Sequence, residues 1–455
     1  MSGMLRIALL SPKGPLYRHR GGIFKKSLRY PPLTLPTLAA LIPGDVEHEL
    51  QMFDEGIEDI PEDLDVDLVG ITVITGNAKR SYELAKTFRA RGITVVLGGP
   101  HVTLVPDDAA PHADAIVVGY AEDTWPELLH DVVKGAVKGR YDQSPDLSLA
   151  GRPRPKRDLI NAGRYAKTHV FEATRGCVHR CDFCVVPFAW GRKPYQKPVA
   201  EVVDEIRSTG AKRAIFIDLN LVADPEYAAE LFEAMIPLGI KWGGLATSLL
   251  ARDEQLLDLC ARSGCMGLLV GFESISHSAL KDIHKGFNTP DNYAEWIRRF
   301  HDHGIAINGT FVFGLDGDTT DVFEETKQFV IDTGIDLPRF AILTPFPGTA
   351  LHERLDGEGR VFTKDWELYD GQHVVFQPKQ MSVKELEQGS AKVWREVYSY
   401  GSIARRMRYT PISKFLYLGA NFGYRFYANR LDQFYTCDWR LLNPDPPRLR
   451  PQKSL

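Results

Sequence analysis

Long apolar runs are missing from this 455-residue chain. No uninterrupted stretch reaches the roughly 18 apolar residues that a membrane-spanning helix needs, so no membrane span is predicted. The first apolar run is only about five residues long and is followed by Pro12 and Gly14, unlike a signal peptide. We therefore expect a cytoplasmic protein that is not exported.

An excess of positive charge is also missing. The 55 Lys and Arg residues are outnumbered by 59 Asp and Glu residues, which gives a formal net charge of −4. Binding of nucleic acid through its phosphates requires a basic field, and this chain has none overall. We expect a small-molecule substrate and no nucleic-acid partner.

Cysteine is scarce, with six residues in the whole chain and none before Cys177. So few cysteines in a chain of this length make a poor disulfide framework. In a reducing compartment, such cysteines point instead to metal binding or catalysis.

The order of apolar patterns predicts an α/β protein with a helical end. Strand-like runs alternate with helical stretches in residues 1–137, which indicates a doubly wound parallel sheet. Residues 138–164 are rich in Pro, Gly and charge and read as a linker. Six further strand-like runs in residues 165–350 predict a partial (β/α)6 barrel, and residues 351–455 predict a helical region.

Three cysteines lie close together in the run EATRGCVHRCDFCVVP, directly after the first barrel strand. Cys177, Cys181 and Cys184 have the spacing Cys-x3-Cys-x2-Cys. A structural zinc site needs four closed ligands, and the loop has no fourth cysteine, although His179 lies within it. Three thiolates suit a [4Fe-4S] cluster with one open iron better than they suit zinc.

This motif, with the aromatic Phe183 before its last cysteine, resembles the signature of the radical S-adenosylmethionine (SAM) superfamily. The resemblance implies that SAM chelates the open iron. An electron from the cluster then cleaves a sulfur–carbon bond and yields a 5′-deoxyadenosyl radical. It also implies an external electron donor such as flavodoxin or ferredoxin.

The same resemblance implies that several later strand ends bind SAM. The runs IFIDLN, LVGFES and NGTFVFGLDGDT stand in the expected order, although Asn220 reads equally well as a helix N-cap. The expected SAM-binding residues are Phe183, Asp218, Asn220, Glu273, Ser274, Gly309 and Gly314.

Three strand ends of the amino-terminal sheet also look directed at a ligand, namely ITVITGN, LGGPH and VVGYAED. Glycines there would let a bulky ligand approach the backbone, although ordinary turns are an alternative explanation. Beside a radical SAM barrel, this arrangement resembles the cobalamin-binding domain of cobalamin-dependent radical SAM enzymes. The resemblance implies cobalamin contacts at Thr72, Thr75, Gly98, Gly99, His101, Gly119 and Glu122.

Three missing motifs narrow this interpretation. No Gly-x-Gly-x-x-Gly follows the first strand, which argues against a nicotinamide site. No Asp-x-His-x-x-Gly supplies a lower axial histidine to cobalamin, and His19 lies in that loop without the spacing, so the axial ligand stays open. No cysteine set precedes the barrel, which argues against transfer RNA methylthiolation.

These features predict a methyltransferase that acts on an unactivated carbon of a small molecule. One SAM would methylate cobalamin, and a second would give the radical that activates the substrate carbon. A radical cyclisation, ring rearrangement or carbon–carbon coupling, with cobalamin accessory or absent, is the alternative. A non-catalytic cobalamin or redox sensor is an alternative of another class.

The remaining cysteines and the aromatic tail stay outside this site. Cys260 and Cys265 read as buried inert thiols, and Cys437 has no assigned role. The run Phe415–Phe422 reads as a packed helix rather than a membrane-surface helix. The tail resembles that of hopanoid methylases and the anaerobic magnesium-protoporphyrin ester cyclase, which suggests an apolar or planar lipid or tetrapyrrole substrate. Its aromatic residues would pack on the barrel or cap that substrate; they are Tyr398, Tyr400, Phe415, Tyr417, Phe422, Tyr424, Phe426 and Tyr427.

Overall fold

The structure is a computed structural model that describes residues 4–14, 30–411 and 414–431. The expectations for His19 and Cys437 lie outside these residues.

Six parallel strands form the first sheet of the described chain, in the order β2-β1-β3-β4-β5-β6. The strands are β1 (Leu5–Ser11), β2 (His48–Asp54), β3 (Leu68–Thr72), β4 (Thr94–Gly98), β5 (Ala115–Val118) and β6 (Arg140–Asp142). The strand order reverses beside β1, as in doubly wound sheets, so the predicted fold of this domain is confirmed.

Helices cover both faces of this sheet because the strand residues alternate between two cores. Val95 and Leu97 of β4 pack in the core that contains Phe88, whereas Val96 packs with Trp125 and Leu128. The helices of this domain are α1 (Thr34–Ala40), α2 (Ala78–Ala90), α3 (Pro100–Leu104), α4 (Pro106–Ala109) and α5 (Thr124–Lys134).

Strand β6 lies within residues 138–164, which the sequence predicts to be a linker. It pairs with β5 through Arg140, Tyr141 and Asp142. Only Tyr141 of these is buried, and the flanking Arg140 and Asp142 form an exposed ion pair. One apolar residue between two charges gives no strand pattern, so the sheet extends past the predicted end of the domain.

A second sheet of six parallel strands follows in the described chain, in the order β14-β13-β12-β11-β10-β7. β7 and β14 form its two edges, so it is an open, partial barrel as predicted. Its strands are β7 (His169–Phe171), β10 (Arg213–Phe216), β11 (Lys241–Ala246), β12 (Cys265–Glu273), β13 (Ala306–Phe313) and β14 (Arg339–Ile342); β8 (Thr174–Arg175) and β9 (Tyr195–Gln196) form a short antiparallel pair.

Helices alternate with these strands and supply the outer layer. They are α6 (Val186–Ala189), α7 (Val199–Thr209), α8 (Pro225–Met235), α9 (Glu254–Arg262), α10 (His277–Asp282), α11 (Tyr293–Asp302), α12 (Val322–Thr333) and α13 (Ala350–Gly357). Cys260 of α9 and Cys265 of β12 are both buried, as expected of inert thiols.

The carboxy-terminal region is helical, as predicted, with α14 (Val383–Val397), α15 (Tyr400–Arg406) and α16 (Lys414–Ala428). It packs beside the start of β14: the Tyr398 hydroxyl donates to the Pro338 carbonyl at 2.7 Å, and the Trp394 indole donates to the Phe340 carbonyl at 3.0 Å. Within residues 4–14, 30–411 and 414–431, no helix is both long and apolar enough to cross a membrane.

Candidate active site

The three motif cysteines lie in one loop that leaves β8 and leads into α6. Gly176 opens the loop at φ +85°, where a Cβ would lie 3.0 Å from the Gly191 carbonyl oxygen. That same oxygen accepts a hydrogen bond from the Cys177 amide at 3.3 Å. The loop therefore needs glycine at residue 176 and is fixed against the segment after α6.

Burial favours the neutral form of two of the loop thiols, Cys181 and Cys184. It raises the pKa of Cys181 to about 12 and the pKa of Cys184 to about 11. Bound iron would reverse this, because a metal stabilises the thiolate that it binds.

The donor set fits a cluster better than a single ion. In the described residues, no group of three or more His, Cys, Asp or Glu side chains surrounds one metal position. The three thiolates of the loop would each bind one iron of a [4Fe-4S] cluster and leave the fourth iron open. His179, the other potential ligand in the loop, stacks on Phe287 with ring centroids 4.0 Å apart.

Asp218 and Asn220 follow β10 and adjoin the cysteine loop. The buried Asp218 carboxylate accepts hydrogen bonds from the backbone amides of Ala173, at 3.1 Å, and of Thr174. Burial raises the pKa of Asp218 to about 7. Asp218 therefore fixes the backbone that leads into the loop, and its predicted contact with SAM stays a prediction.

Asn220 faces the cysteines. Its side-chain amide nitrogen lies 3.8 Å from the Cys177 sulfur, and its buried Oδ1 has no hydrogen-bond partner among the described residues. The N-cap interpretation of Asn220 is wrong, because Asp224 caps α8 by accepting from the amides of Glu226 and Tyr227. The orphaned Asn220 Oδ1 beside the loop fits a polar ligand such as SAM.

Glu273 and Ser274 end β12 at a bulge. Glu273 adopts a left-handed φ of 62°, and its carboxylate pairs with Lys285 at 2.6 Å, with both side chains nearly buried. The Ser274 hydroxyl accepts a hydrogen bond from the Ser276 amide at 3.1 Å. The Lys285 ammonium also lies 6.0 Å from the ring centroid of Phe183. Lys285 could not be predicted from the sequence, because its partner Glu273 stands twelve residues earlier along the chain.

Gly309 and Gly314 have protein neighbours that already require glycine. A Cβ on Gly309 would lie 3.1 Å from Ile335 side-chain atoms. Gly314 has φ +96°, and a Cβ there would lie 2.8 Å from Leu386 of α14. Their predicted place beside the SAM adenine stays a prediction.

A cavity of about 380 Å³ opens between the first sheet and the barrel. Its walls are the carboxyl ends of β3, β4 and β5, part of α1, and the barrel residues Glu172, Arg175, Trp190 and Ile217. Five of the seven expected cobalamin contacts line it: Thr72, Gly98, Gly99, Gly119 and Glu122. Ligands of open parallel sheets bind at this edge.

Thr75 and His101 do not line this cavity. The buried His101 ring contacts the Thr75 hydroxyl at 3.3 Å through Nδ1 and the Asp108 carboxylate at 3.1 Å through Nε2. Trp366 packs edge-on against it. These two residues join the first domain to the segment before α14, and their assignment to cobalamin rests on the sequence resemblance alone.

At two positions that line the cavity, the backbone conformation and the close neighbours require glycine. Gly99 has φ +110°, and a Cβ would lie 2.8 Å from the Val73 carbonyl oxygen. Gly119 has φ +85°, and a Cβ would lie 2.6 Å from Gln143. The turn explanation accounts for these two glycines, whereas a Cβ on Gly98 would lie only in ordinary contact, 3.5 Å from Val117.

An ion-pair network crosses the cavity from one domain to the other. The Arg175 guanidinium contacts Glu122 of the first domain at 2.5 Å and Glu172 at 2.8 Å, and it lies 4.7 Å from the Tyr120 ring centroid. Burial lowers the pKa of Arg175, but the two carboxylates outweigh burial and raise it overall. Glu122 Oε2 is buried without a partner in the described chain, so the network offers an acceptor at the cavity wall.

The two sites are therefore adjacent. Arg175 lines the cavity and stands two residues before Cys177, while Trp190 lines the cavity next to Gly191, which holds the Cys177 amide. Neither the Arg175–Glu122 pair between the domains nor the place of Trp190 at the cavity could be predicted from the sequence, because both depend on how two distant segments meet.

Comparison with known proteins agrees with this geometry. Residues 171–330 match the family model of the radical SAM superfamily, and residues 28–129 match that of the B12 binding domain. The bacteriochlorophyllide d C-12(1)-methyltransferase of Chlorobaculum tepidum is 34% identical over 400 residues, which cover 84% of this chain and 86% of the relative. The bacteriochlorophyllide d C-8(2)-methyltransferase of the same organism is 32% identical over 402 residues, which cover 83% and 88%.

A solved structure shares the fold at low identity. It is the cobalamin-dependent SAM radical enzyme OxsB with aqua-cobalamin and SAM bound. The match has a TM-score of 0.69 at 13% identity and covers 98% of this chain and 82% of that chain.

Proposed function

The chain belongs to the cobalamin-dependent radical SAM methyltransferases, and on that premise we propose that it methylates an alkyl carbon of a bacteriochlorophyllide-type tetrapyrrole. The cofactors of the chain are a [4Fe-4S] cluster, SAM and cobalamin. When bound, the cluster supplies the electron that cleaves SAM, and cobalamin carries the methyl group.

The adjacency of the cysteine loop and the cavity is the observation that carries a two-cofactor reaction. Cys177, Cys181 and Cys184 would hold the cluster, and the walls around Gly98 and Glu122 would hold cobalamin. Arg175 belongs to both sites, since it lines the cavity and begins the loop. Reactants that are bound close together and in the right orientation react faster than reactants that must meet by diffusion. The adjacent cluster and cobalamin sites would provide this positioning.

The substrate class is supported by the two relatives named for bacteriochlorophyllide d, which match this chain over more than four fifths of its length. Both relatives are methyltransferases, which favours methyl transfer over the cyclisation and sensor alternatives. A planar macrocycle also agrees with the apolar or planar substrate expected from the sequence.

The experiment is an anaerobic reaction of the reconstituted enzyme with SAM, hydroxocobalamin, a reductant and bacteriochlorophyllide d. We expect 5′-deoxyadenosine, S-adenosylhomocysteine and a pigment heavier by one methylene group, resolved by mass spectrometry. Formation of 5′-deoxyadenosine without S-adenosylhomocysteine would contradict methyl transfer. Formation of both 5′-deoxyadenosine and S-adenosylhomocysteine with an unchanged pigment would contradict only the proposal that the substrate is a tetrapyrrole.

We further propose that an acidic one-electron donor such as flavodoxin or ferredoxin reduces the cluster. Exposed cations flank the cysteine loop, namely Arg180, Arg192 and Lys193. Reduced flavodoxin should replace dithionite in the reaction above, with a rate that falls as salt rises because salt screens charge. Such a donor and free loop thiols both suit the reducing cytoplasm, which we propose as the compartment.

A further inference from the structure

The carboxy-terminal helices carry an unusual concentration of positive charge. Residues 397–431 contain six Arg and Lys residues and no Asp or Glu, in a chain of net charge −4. Arg406 is buried and donates to the carbonyls of Ile335 and Asp336. Arg405, Arg408 and Lys414 are exposed, so this surface is basic.

Helix α16 has an inner and an outer face. On the inner face, Asn421 is fully buried and donates to the Asp336 carbonyl at 3.1 Å, and the Tyr417 hydroxyl lies beside Gly267 of β12. On the outer face, Phe415 is 88% exposed, Leu416 57% and Phe422 44%. The prediction of a packed helix is therefore right for one face only.

The outer face continues into a groove between α15 and α16. A cavity of about 340 Å³ lies there, with Ile403, Met407 and Leu418 among its walls and Tyr400 exposed at its side. Lys414 is the one charged residue among those that line the groove in the described chain. Large exposed apolar patches on a protein surface mark interaction sites.

We propose that this surface, which we call the α15–α16 face, binds an anionic lipid surface. Bulky apolar side chains enter the boundary between headgroups and acyl chains, while flanking Lys and Arg residues attract anionic headgroups. Phe415 and Leu416 supply the apolar contact, and Arg405, Arg408 and Lys414 supply the charge. This proposal does not depend on the substrate named above.

Two other occupants fit the charge less well. Residues 432–455 carry four basic and three acidic residues, so this segment offers no net negative charge to the α15–α16 face. A second copy of the chain would bring the same exposed basic residues, Arg405, Arg408 and Lys414, against these three, and like charges repel.

The position of the face leaves the active site accessible. Asp336 and Pro338 precede β14, and Gly267 lies near the start of β12, so α15 and α16 pack at the amino ends of the barrel strands. The cysteine loop lies at the opposite, carboxyl ends. A bound enzyme would keep its cofactors and its electron donor on the side away from the lipid.

The test is sedimentation of the reconstituted full-length holoenzyme with phosphatidylcholine vesicles, with and without phosphatidylglycerol. We expect binding only with phosphatidylglycerol, weakened by salt. F415S/L416S should lower the vesicle partition coefficient by at least about a hundredfold, and R408Q/K414Q should lower it about thirtyfold. All four side chains are exposed, so unfolding temperature and methyl transfer to a soluble substrate should not change.

Matched controls lie elsewhere on the surface. L159S removes an apolar side chain that is 46% exposed, and K134Q/K212Q removes two exposed charges; neither should change vesicle binding. No binding to phosphatidylglycerol vesicles, or equal binding by F415S/L416S and the parent, would overturn the proposal. A dimer that dissociates in F415S/L416S, or cross-links from the groove to residues 432–455 without lipid binding, would assign the face to a second copy or to that segment.

Discussion

The cysteine loop and the cavity between the first sheet and the barrel differ in how far apart along the chain their residues stand. The three cysteines span eight residues of one loop, from Cys177 to Cys184. The cavity combines three strand ends, a helix and barrel residues from Leu33 to Ile217. A short loop can be read from its spacing, whereas a cavity made by distant segments depends on packing that no spacing records.

From this difference we expect that substitutions of the cysteines in the loop have the largest effects on activity. C181A should abolish cluster binding and lower methyl transfer by at least about a thousandfold, because an open-iron cluster has no spare ligand. Iron content and the visible spectrum of the anaerobically reconstituted protein measure this. C260A, which removes a buried thiol outside the loop, should keep full iron content; iron loss in both variants would mean that misfolding, not ligation, is responsible.

Substitution of Arg175, which pairs with Glu122 across the two domains, should have the second-largest effect. R175M should lower the free energy of unfolding by about 3–5 kcal/mol, because it leaves the buried Glu122 and the half-buried Glu172 without their cation. Chemical denaturation measures this, and cobalamin affinity should fall as well. R207M, which removes an exposed cation beside Asp204, should leave both unchanged. Unaltered stability of R175M would show that the network does not join the domains.

Substitutions at Gly98 and Gly99, which both line the cavity, should differ in whether they affect stability or cobalamin binding. G99A should cost about 2 kcal/mol or more in unfolding free energy, because only glycine adopts its backbone conformation without strain. G98A should leave unfolding nearly unchanged, since its Cβ makes an ordinary contact, but should weaken cobalamin binding at the cavity wall. Thermal unfolding and cobalamin titration distinguish the two, and equal unfolding temperatures would refute the distinction.

His101 should have the smallest effect on cobalamin. H101A should change cobalamin affinity by less than about twofold, as expected of a residue outside the site. It should still lower stability, because Thr75 and Asp108 lose a buried partner. The spectrum of cob(II)alamin bound to the variant should match that of the parent. A change in the part of this spectrum that reports the axial ligand of cobalt would show that His101 does contact cobalamin.

Much of the fold and part of the site could be predicted from the sequence. Alternating patterns predicted both sheets, because a parallel strand buried on two faces is apolar throughout, as in β3 and β4. β6 was missed because one buried residue between two charges has no pattern. Gly99 was predicted as a ligand contact and lines the cavity. What could not be predicted is that the Val73 carbonyl, which the chain brings close only after folding, also leaves no room there for a Cβ.

The sequence by itself determined the loop chemistry, since covalent spacing keeps Cys177, Cys181 and Cys184 within reach of one cluster. It also determined the basic, aromatic character of residues 397–431. Only the tertiary structure decided that Arg175 meets Glu122 and that Phe415 faces solvent while Asn421 is buried. These outcomes depend on the packing of elements that are distant along the chain, and local patterns carry no information about such packing.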